Sequence, residues 1–412
     1  MFTIDLGEIF YSFSKSLDLS LDGVTYHHQS VALITAAIAE NLDLSDFDRQ
    51  TIFYSALVHD AGMNPRDELK YLLPYEDTHG SVHCKKGYEI FRHSKLTEDV
   101  ARIILHHHDR WQDTIAWQNV ASIVPLGSNI VYLADRVAVL CEAESTCLLH
   151  RSQAIIQAIV ANSGTKFNPV IVAAFLKAAA KEAFWLDLRS DFISEIVQAR
   201  KPKQTMQVSP KILTNIAKCF SQVIDNKSPY TRDHSTKVAL GAEYLGRKLG
   251  FIGYDLTFLR LAGYLHDLGK LAIPNEILDK PGQLSEAEFA IIKNHTYHSY
   301  YLLRNIPGFE SVSIWGSQHH EKLDGSGYPH NLTGEHLSLG SRIMAVSDIF
   351  AALTEDRPYR DGLNKAQCLA ILLDLSANNK IDSTVVALVE ENYEEMIKLT
   401  QKKEPHSAQV AL

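Results

Sequence analysis

The chain repeats itself, and this repeat constrains the fold more than any other feature of its 412 residues. Adding 207 to a residue number pairs Leu6 with Leu213, Ile9 with Ile216, Phe13 with Phe220, His27 with His234, and His59-Asp60 with His266-Asp267. Both Val31–Leu33 and Val238–Leu240 read Val-Ala-Leu. At an offset of 212, His83 meets His295 and His107-His108 meets His319-His320. At 213, Leu126-Gly127-Ser128 meets Leu339-Gly340-Ser341, and Asp135 meets Asp348. An offset that is constant within segments and changes by small steps between them is what a duplicated domain with loop insertions produces. The larger insertion lies between Asp267 and His295, around IPNEILDKPGQL, and the smaller between His320 and Asp348.

Each copy reads as helical. Leu6, Ile9, Phe10, Phe13 and Leu17 share one face at a period of 3.6 residues, as do Leu213, Ile216, Ala217, Phe220 and Ile224. Ser285 with Glu288 forms a capping box ahead of the apolar run Phe289–Ile292. Strict alternation, the mark of strands, is scarce. The expected fold is all-α, with two tandem helical domains. The first spans 1–198, and the charged, Pro-containing stretch 199–208 is read as a linker. The second domain spans 209–400 and ends in a flexible tail, 401–412.

A net charge of −9 disfavours general nucleic-acid binding. Five scattered cysteines without a C-x-x-C pair read as buried thiols of a reducing compartment. The amino terminus, broken by Asp5 and Glu8, lacks the pattern of a secretion signal. The strongly apolar stretches Val31–Ala39 and Val170–Leu176 fall short of the roughly 20 residues that cross a bilayer. A cytoplasmic protein with no membrane partner is expected. The sequence is compatible with a homodimer and fixes no oligomeric state.

Histidine is the unusual residue, at 19 copies. In the second copy His234, His266, Asp267, His295, His319, His320 and Asp348 recur on elements that are otherwise apolar. Asp348, between Val346 and Phe350, needs a cation nearby, because an unpaired buried carboxylate is expensive. Singly, each histidine could be a satisfied core residue. As a set they suit two divalent cations about 3.5 to 4 Å apart, which can activate one water and clamp the attacking and leaving oxygens of a phosphoester. Imidazole and carboxylate donors accept iron, manganese, nickel or zinc.

Residues 209–370 resemble the HD-GYP family, a branch of the HD superfamily of metal-dependent phosphohydrolases. The stretches that carry the resemblance are YTRDHS (230–235), HDLGKLAIP (266–274), KPG (280–282), HHEKLDGSGYP (319–329) and DIFAALTEDRPYR (348–360). The resemblance implies hydrolysis of a bacterial cyclic dinucleotide, with cyclic di-GMP the default substrate and the 3′,3′ hybrid of GMP and AMP the alternative. It implies that the seven residues above are ligands of two divalent metals, iron or manganese ahead of nickel or zinc, with Asp267 bridging. It makes Lys270 the phosphate-contacting lysine and Arg357 and Arg360 substrate contacts, although arginines at a helix end often form only surface salt bridges. Gly327, Tyr328 and Pro329 fall in the signature loop, for which three roles stay open: a structural clasp over the metals, and, as the resemblance implies, substrate recognition or contact with diguanylate cyclase domains. Some members bind a third metal through a glutamate at the position of Tyr230, so two metals are expected here.

The first copy keeps His27, His59, Asp60, His83, His107, His108 and Asp135 as candidates for a second metal site, with His28, His79 and His106 as neighbours that could substitute. It has Met63 where the second copy has Lys270, and HHDRWQDT lacks the GYP loop. A regulatory domain, a second phosphohydrolase and a packing module all remain open for it. For the whole chain the rivals to a phosphodiesterase are a non-enzymatic nucleotide-binding adaptor and a nucleotide phosphohydrolase of the wider HD superfamily.

Overall fold

The computed structural model describes residues 1–20, 26–63, 81–117, 122–142, 147–203, 205–228, 233–356 and 361–400. The chain divides into two units, Phe2–Val208 and the stretch from Ser209 onward. Each is built of helices, as expected. Tyr230, His79, Arg357, Arg360 and the 401–412 tail lie outside the described residues.

In the first unit Asp5 caps the helix Leu6–Asp18 by accepting from the Glu8 backbone N–H, and the predicted stripe of Leu6, Ile9, Phe10, Phe13 and Leu17 is buried. Helix His27–Ala39 packs on Asp46–Leu57 and Val124–Glu142, while Ser81–Phe91 packs on Glu98–Leu105. The second unit repeats this scheme. Ser209 caps Pro210–Lys227, with proline at its first turn, and Leu213, Ile216, Ala217, Phe220 and Ile224 are buried. Helix His234–Lys248 packs on Tyr254–Leu265 and Leu339–Thr354, and Glu286–Leu303 packs on Glu310–Ser317. The capping box of Ser285 and Glu288 forms as read from the sequence.

Two backbone features recur in both units. The residue before the first histidine is left-handed, Tyr26 at φ 63° and Asp233 at φ 64°, a conformation uncommon outside glycine that turns the chain sharply into the helix. The glycine two residues after each His-Asp pair has no room for a side chain. A Cβ on Gly62 would meet the His83 carbonyl at 2.1 Å, and one on Gly269 would meet the His295 carbonyl at 2.0 Å. These glycines bring the His-Asp turn against the helix that carries the third histidine.

Three sequence expectations need correction. The 199–208 stretch is not a loose linker: Arg200 ends the helix Ile193–Arg200, and Thr205–Val208 pairs antiparallel with Phe2–Asp5. The Lys201 ammonium is buried 3.0 Å from Asp5 and 2.7 Å from Glu8, so its charge orders the segment rather than solvating it. Cys147 is exposed, whereas Cys84, Cys141, Cys219 and Cys368 are buried. Finally, Val124–Glu142 is long and apolar enough to span a bilayer, but it is almost entirely buried within the first unit, where it carries Asp135.

Candidate metal centre

The second unit brings its seven ligand-type residues together from five segments. His234 opens the helix His234–Lys248, and His266-Asp267 follows Tyr254–Leu265. His295 lies in Glu286–Leu303, His319-His320 follows Glu310–Ser317, and Asp348 lies in Leu339–Thr354. Asp348 Oδ1 is 3.1 Å from His234 Nε2 and 3.7 Å from His266 Nε2. Asp267 faces both ways: Oδ2 is 3.1 Å from His266 Nε2, while Oδ1 is 3.4 Å from His295 Nε2 and 3.9 Å from His319 Nε2. His320 sits at the edge, its Nδ1 4.0 Å from Asp348 Oδ2. The donor atoms form two groups, His234 with His266 and Asp348, and His295 with His319 and His320, each within 4.8 Å.

The rings are fixed from behind. Nδ1 of His266, His295 and His319 lies 2.8, 2.7 and 2.6 Å from the carbonyls of Gly263, Ile292 and Gly316, three residues earlier in each case. A ring that donates Nδ1–H to a carbonyl presents a lone pair at Nε2, as a metal ligand must. Nδ1 of His234 instead meets Glu355 Oε2 at 3.2 Å. Glu355 escaped the sequence reading, yet the first unit has Glu142 at the same 213-residue offset, with Oε1 2.9 Å from His27 Nδ1. That correspondence was the available signal.

Burial pushes His295 down to about 3 and His320 to about 4, and holds His319 well below its usual value, so these rings are neutral at pH 7. Burial opposes a charge on His234 as well, but Asp348 and Glu355 outweigh it and raise its pKa to about 10. Burial likewise resists ionisation of Asp267, which His266 and Lys270 nevertheless hold well below the carboxylate range. His266 Nε2 and Asp267 Oδ1 are buried and make no hydrogen bond. Such orphaned acceptors, with Asp267 Oδ1 set beside the neutral rings of His295 and His319, fit a divalent cation.

Around this set, Lys270 places its ammonium 2.6 Å from Asp267 Oδ2 and stays partly exposed. The signature loop is pinned close by. The Tyr328 N–H donates to the His320 carbonyl, and the buried Glu321 carboxylate accepts from the backbone N–H groups of His330 and Leu332. A Cβ on Gly327 would meet Glu321 Cα at 2.4 Å, so only glycine lets the loop lie this close. The Tyr328 ring packs 4.8 Å from His320, and Phe289 packs edge-on to Tyr328 at 5.9 Å. Lys293 lies over both rings, 4.9 Å from Phe289 and 5.9 Å from Tyr328. Glu321 and Phe289 fall in stretches noted above without a role being read for them, and Lys293 carried no sequence signal of its own.

The first unit reproduces the arrangement. His27 Nε2 is 3.4 Å from Asp135 Oδ1, and His59 Nε2 is 3.2 Å from Asp60 Oδ2. His83 and His107 approach Asp60 Oδ1 at 3.3 and 3.6 Å. Of the alternates, His28 is engaged by Asp18 at 2.8 Å, its ring nevertheless close to His59 and Asp60, and His106 turns to Asp109 at the surface. The surroundings differ. Arg136, fully buried, binds Asp135 Oδ2 at 2.6 Å where the second unit has Ile349.

Comparison with known proteins gives the chain's relatives. Residues 218–385 and residues 24–140 each match the HD domain family. The 3′3′-cGAMP-specific phosphodiesterase 1 of Vibrio cholerae is 30% identical over 412 residues, covering 98% of this chain and 95% of that one. The 3′3′-cGAMP-specific phosphodiesterase 3 of the same organism is 28% identical over 90% of this chain and 91% of its own. A cyclic di-GMP phosphodiesterase of Pseudomonas aeruginosa is 32% identical over 48% of each chain. A crystal structure of a cyclic GMP-AMP specific phosphodiesterase of V. cholerae matches with a TM-score of 0.65 and 25% identity, over 95% of this chain and 98% of that one. With two HD domains in tandem and a relative of this similarity along nearly its whole length, the chain belongs to the HD-GYP family of metal-dependent cyclic dinucleotide phosphodiesterases.

Proposed function

We propose that the second unit hydrolyses 3′,3′-cyclic GMP-AMP on a centre of two divalent cations, iron or manganese. The expectation of cyclic di-GMP as first substrate gives way to the hybrid dinucleotide. What carries this reading is the full-length match, across both domains, to phosphodiesterases named for 3′3′-cGAMP, whereas the similar cyclic di-GMP enzyme aligns over about half the chain.

His234, His266 and Asp348 would hold one cation, and His295, His319 and His320 the other, with Asp267 offering one oxygen to each group. Bound there, the cations supply Lewis-acid polarisation of the phosphodiester and a water acidified for attack. The chain's own groups do the rest. Glu355 and the three carbonyls keep the imidazoles aimed, and Lys270 offers a cation to the charge that grows on phosphate oxygens. Tyr328 and the exposed Phe289 give a nucleobase an aromatic face, and Lys293 gives the sugar-phosphate ring a positive neighbour.

Initial rates of the purified full chain, loaded with manganese or ferrous iron, test the assignment against both cyclic dinucleotides. A kcat/KM at least about tenfold higher for the hybrid is expected, since a site that hydrogen-bonds one base edge rejects another by this much or more. Equal values, or a preference for cyclic di-GMP, overturn it.

A further inference from the structure

Cys84 makes the first unit's centre chemically different from the second. It follows His83 directly, where the second unit has Thr296 after His295. The Thr296 hydroxyl donates to the Lys293 carbonyl, but the Cys84 thiol lies 3.7 Å from His83 Nε2, the face that meets His107 Nε2 and His108 Nε2, and 3.5 Å from His107 Nδ1, the nitrogen held from behind at 2.6 Å from the Ile104 carbonyl. Donor atoms of His83, Cys84, His107 and His108 all fall within 4.8 Å of one another. His83 Nε2 is 3.4 Å from His107 Nε2 and 3.1 Å from His108 Nε2. These are separations between ligands of one small ion rather than packing distances between rings.

A second observation points to a cation at the same place. Asp60 Oδ1 is buried, makes no hydrogen bond, and faces His83 and His107 at 3.3 and 3.6 Å. His59 Nε2 is buried and without a hydrogen bond as well. His59 Nε2 faces the other oxygen of Asp60, at 3.2 Å, so the orphan beside the three imidazoles and the thiol is Asp60 Oδ1, a buried carboxylate oxygen that is costly unless something positive joins it. The hydrolytic parts, in contrast, are missing. Met63 stands in place of Lys270, and Arg136 engages the carboxylate oxygen of Asp135 whose counterpart on Asp348 faces His320.

We propose that the first unit holds its own non-hydrolytic metal centre, in which His83, Cys84, His107, His108 and Asp60 bind a thiophilic divalent ion of the zinc type. A thiolate among imidazoles selects softer metals than the nitrogen and oxygen donors grouped in the second unit. One chain would then carry two kinds of site.

The test is anaerobic titration of the full-length protein with Co(II), followed by absorbance. Thiolate ligation gives a near-ultraviolet charge-transfer band that imidazole and carboxylate ligands do not. The band is expected to grow to about one equivalent per chain, to be bleached by zinc, and to be lost in Cys84→Thr, which installs the residue of the second unit. It should persist in His266→Ala/Asp267→Ala, where the second centre is broken, and in Cys219→Ala/Cys368→Ala, which removes the second unit's thiols; together these place the thiolate in the first unit however well Cys84→Thr folds. Absence of the band in the parent protein at saturating Co(II), or its loss in either double variant with the circular dichroism intact, overturns the proposal. Because the readout is ligation and not turnover, it stands apart from the substrate assignment.

Discussion

Replacing Lys270 with methionine, the residue at the matching place in the first unit, should slow hydrolysis while sparing the metals. A phosphodiester carries one negative charge, and a pentacoordinate transition state adds about one more. A cation about 4 Å from that added charge is worth about 332/(20 × 4), or about 4 kcal/mol, at an effective dielectric of about 20. The Lys270 side chain is 22% exposed, and solvent screening brings this to about 3 kcal/mol. At about 1.4 kcal/mol per decade, kcat should fall by about 10² to 10³. The effect on the metals has the opposite sign. Lys270 Nζ lies 2.6 Å from Asp267 Oδ2 and competes with any other cation for that oxygen, so Lys270→Met should keep or tighten metal binding. Turnover measured beside metal content per chain separates the cases. An unchanged kcat refutes the assignment, and joint loss of metal and activity would make Lys270 a structural residue.

Glu355→Ala should weaken metal binding by about 10- to 100-fold, because His234 loses the carboxylate that orients its ring, whereas Glu355→Gln should restore much of it; equilibrium metal titration of both variants checks this, and unchanged affinity in Glu355→Ala contradicts it. The metal-free protein should lose stability as pH falls from 7 to 5. His295 and His320, held at about 3 and 4 when folded, stay neutral there while the unfolded chain protonates near 6.5, so each contributes a loss on the order of 1 to 2 kcal/mol. Burial also holds His83 at about 3 and His319 well below its usual value, which deepens the loss. His234 and His107, raised to about 10, instead complete their contribution as pH falls below 6.5, and Asp225, raised to about 7 by burial, gains as it protonates in the fold; these gains offset only part of the loss from the four depressed rings. A chelated sample whose Tm is flat or rises between pH 7 and 5 would contradict this.

The clustering of the candidate ligands was legible because these residues combine two signals, a fixed spacing in a duplicated chain and carboxylates or imidazoles on apolar helices. Asp348 among Val346 and Phe350 could be recognised from composition alone, since burial of such a group demands a partner. Glu355 and Glu142 were hidden because a glutamate at a helix end ordinarily faces solvent, and only the tertiary fold turns each onto a histidine. Glu321 was hidden for a related reason: its two acceptors are backbone N–H groups 9 and 11 residues later. The strand pair of Phe2–Asp5 and Thr205–Val208 is too short for an alternating pattern, and its partners lie some 200 residues apart. Lys201 misled the reading of its segment, since a lysine between an arginine and a proline suggests solvent and not a buried ion pair. The first unit's centre was legible as ligands, but the meaning of Cys84 depends on the distance from its sulfur to two rings.

The proposed hydrolysis of the hybrid cyclic dinucleotide depends on the His-Asp pair of the second unit. Its most direct test is the rate of 3′,3′-cyclic GMP-AMP cleavage by the full-length His266→Ala/Asp267→Ala variant beside the parent, with metal content and circular dichroism measured on the same samples. Turnover should fall by at least about 10³-fold, and bound metal should fall with the helical signal retained, because the variant removes one candidate ligand of each kind, including the carboxylate that faces both donor groups. A folded variant that cleaves the dinucleotide at the parental rate would contradict that dependence.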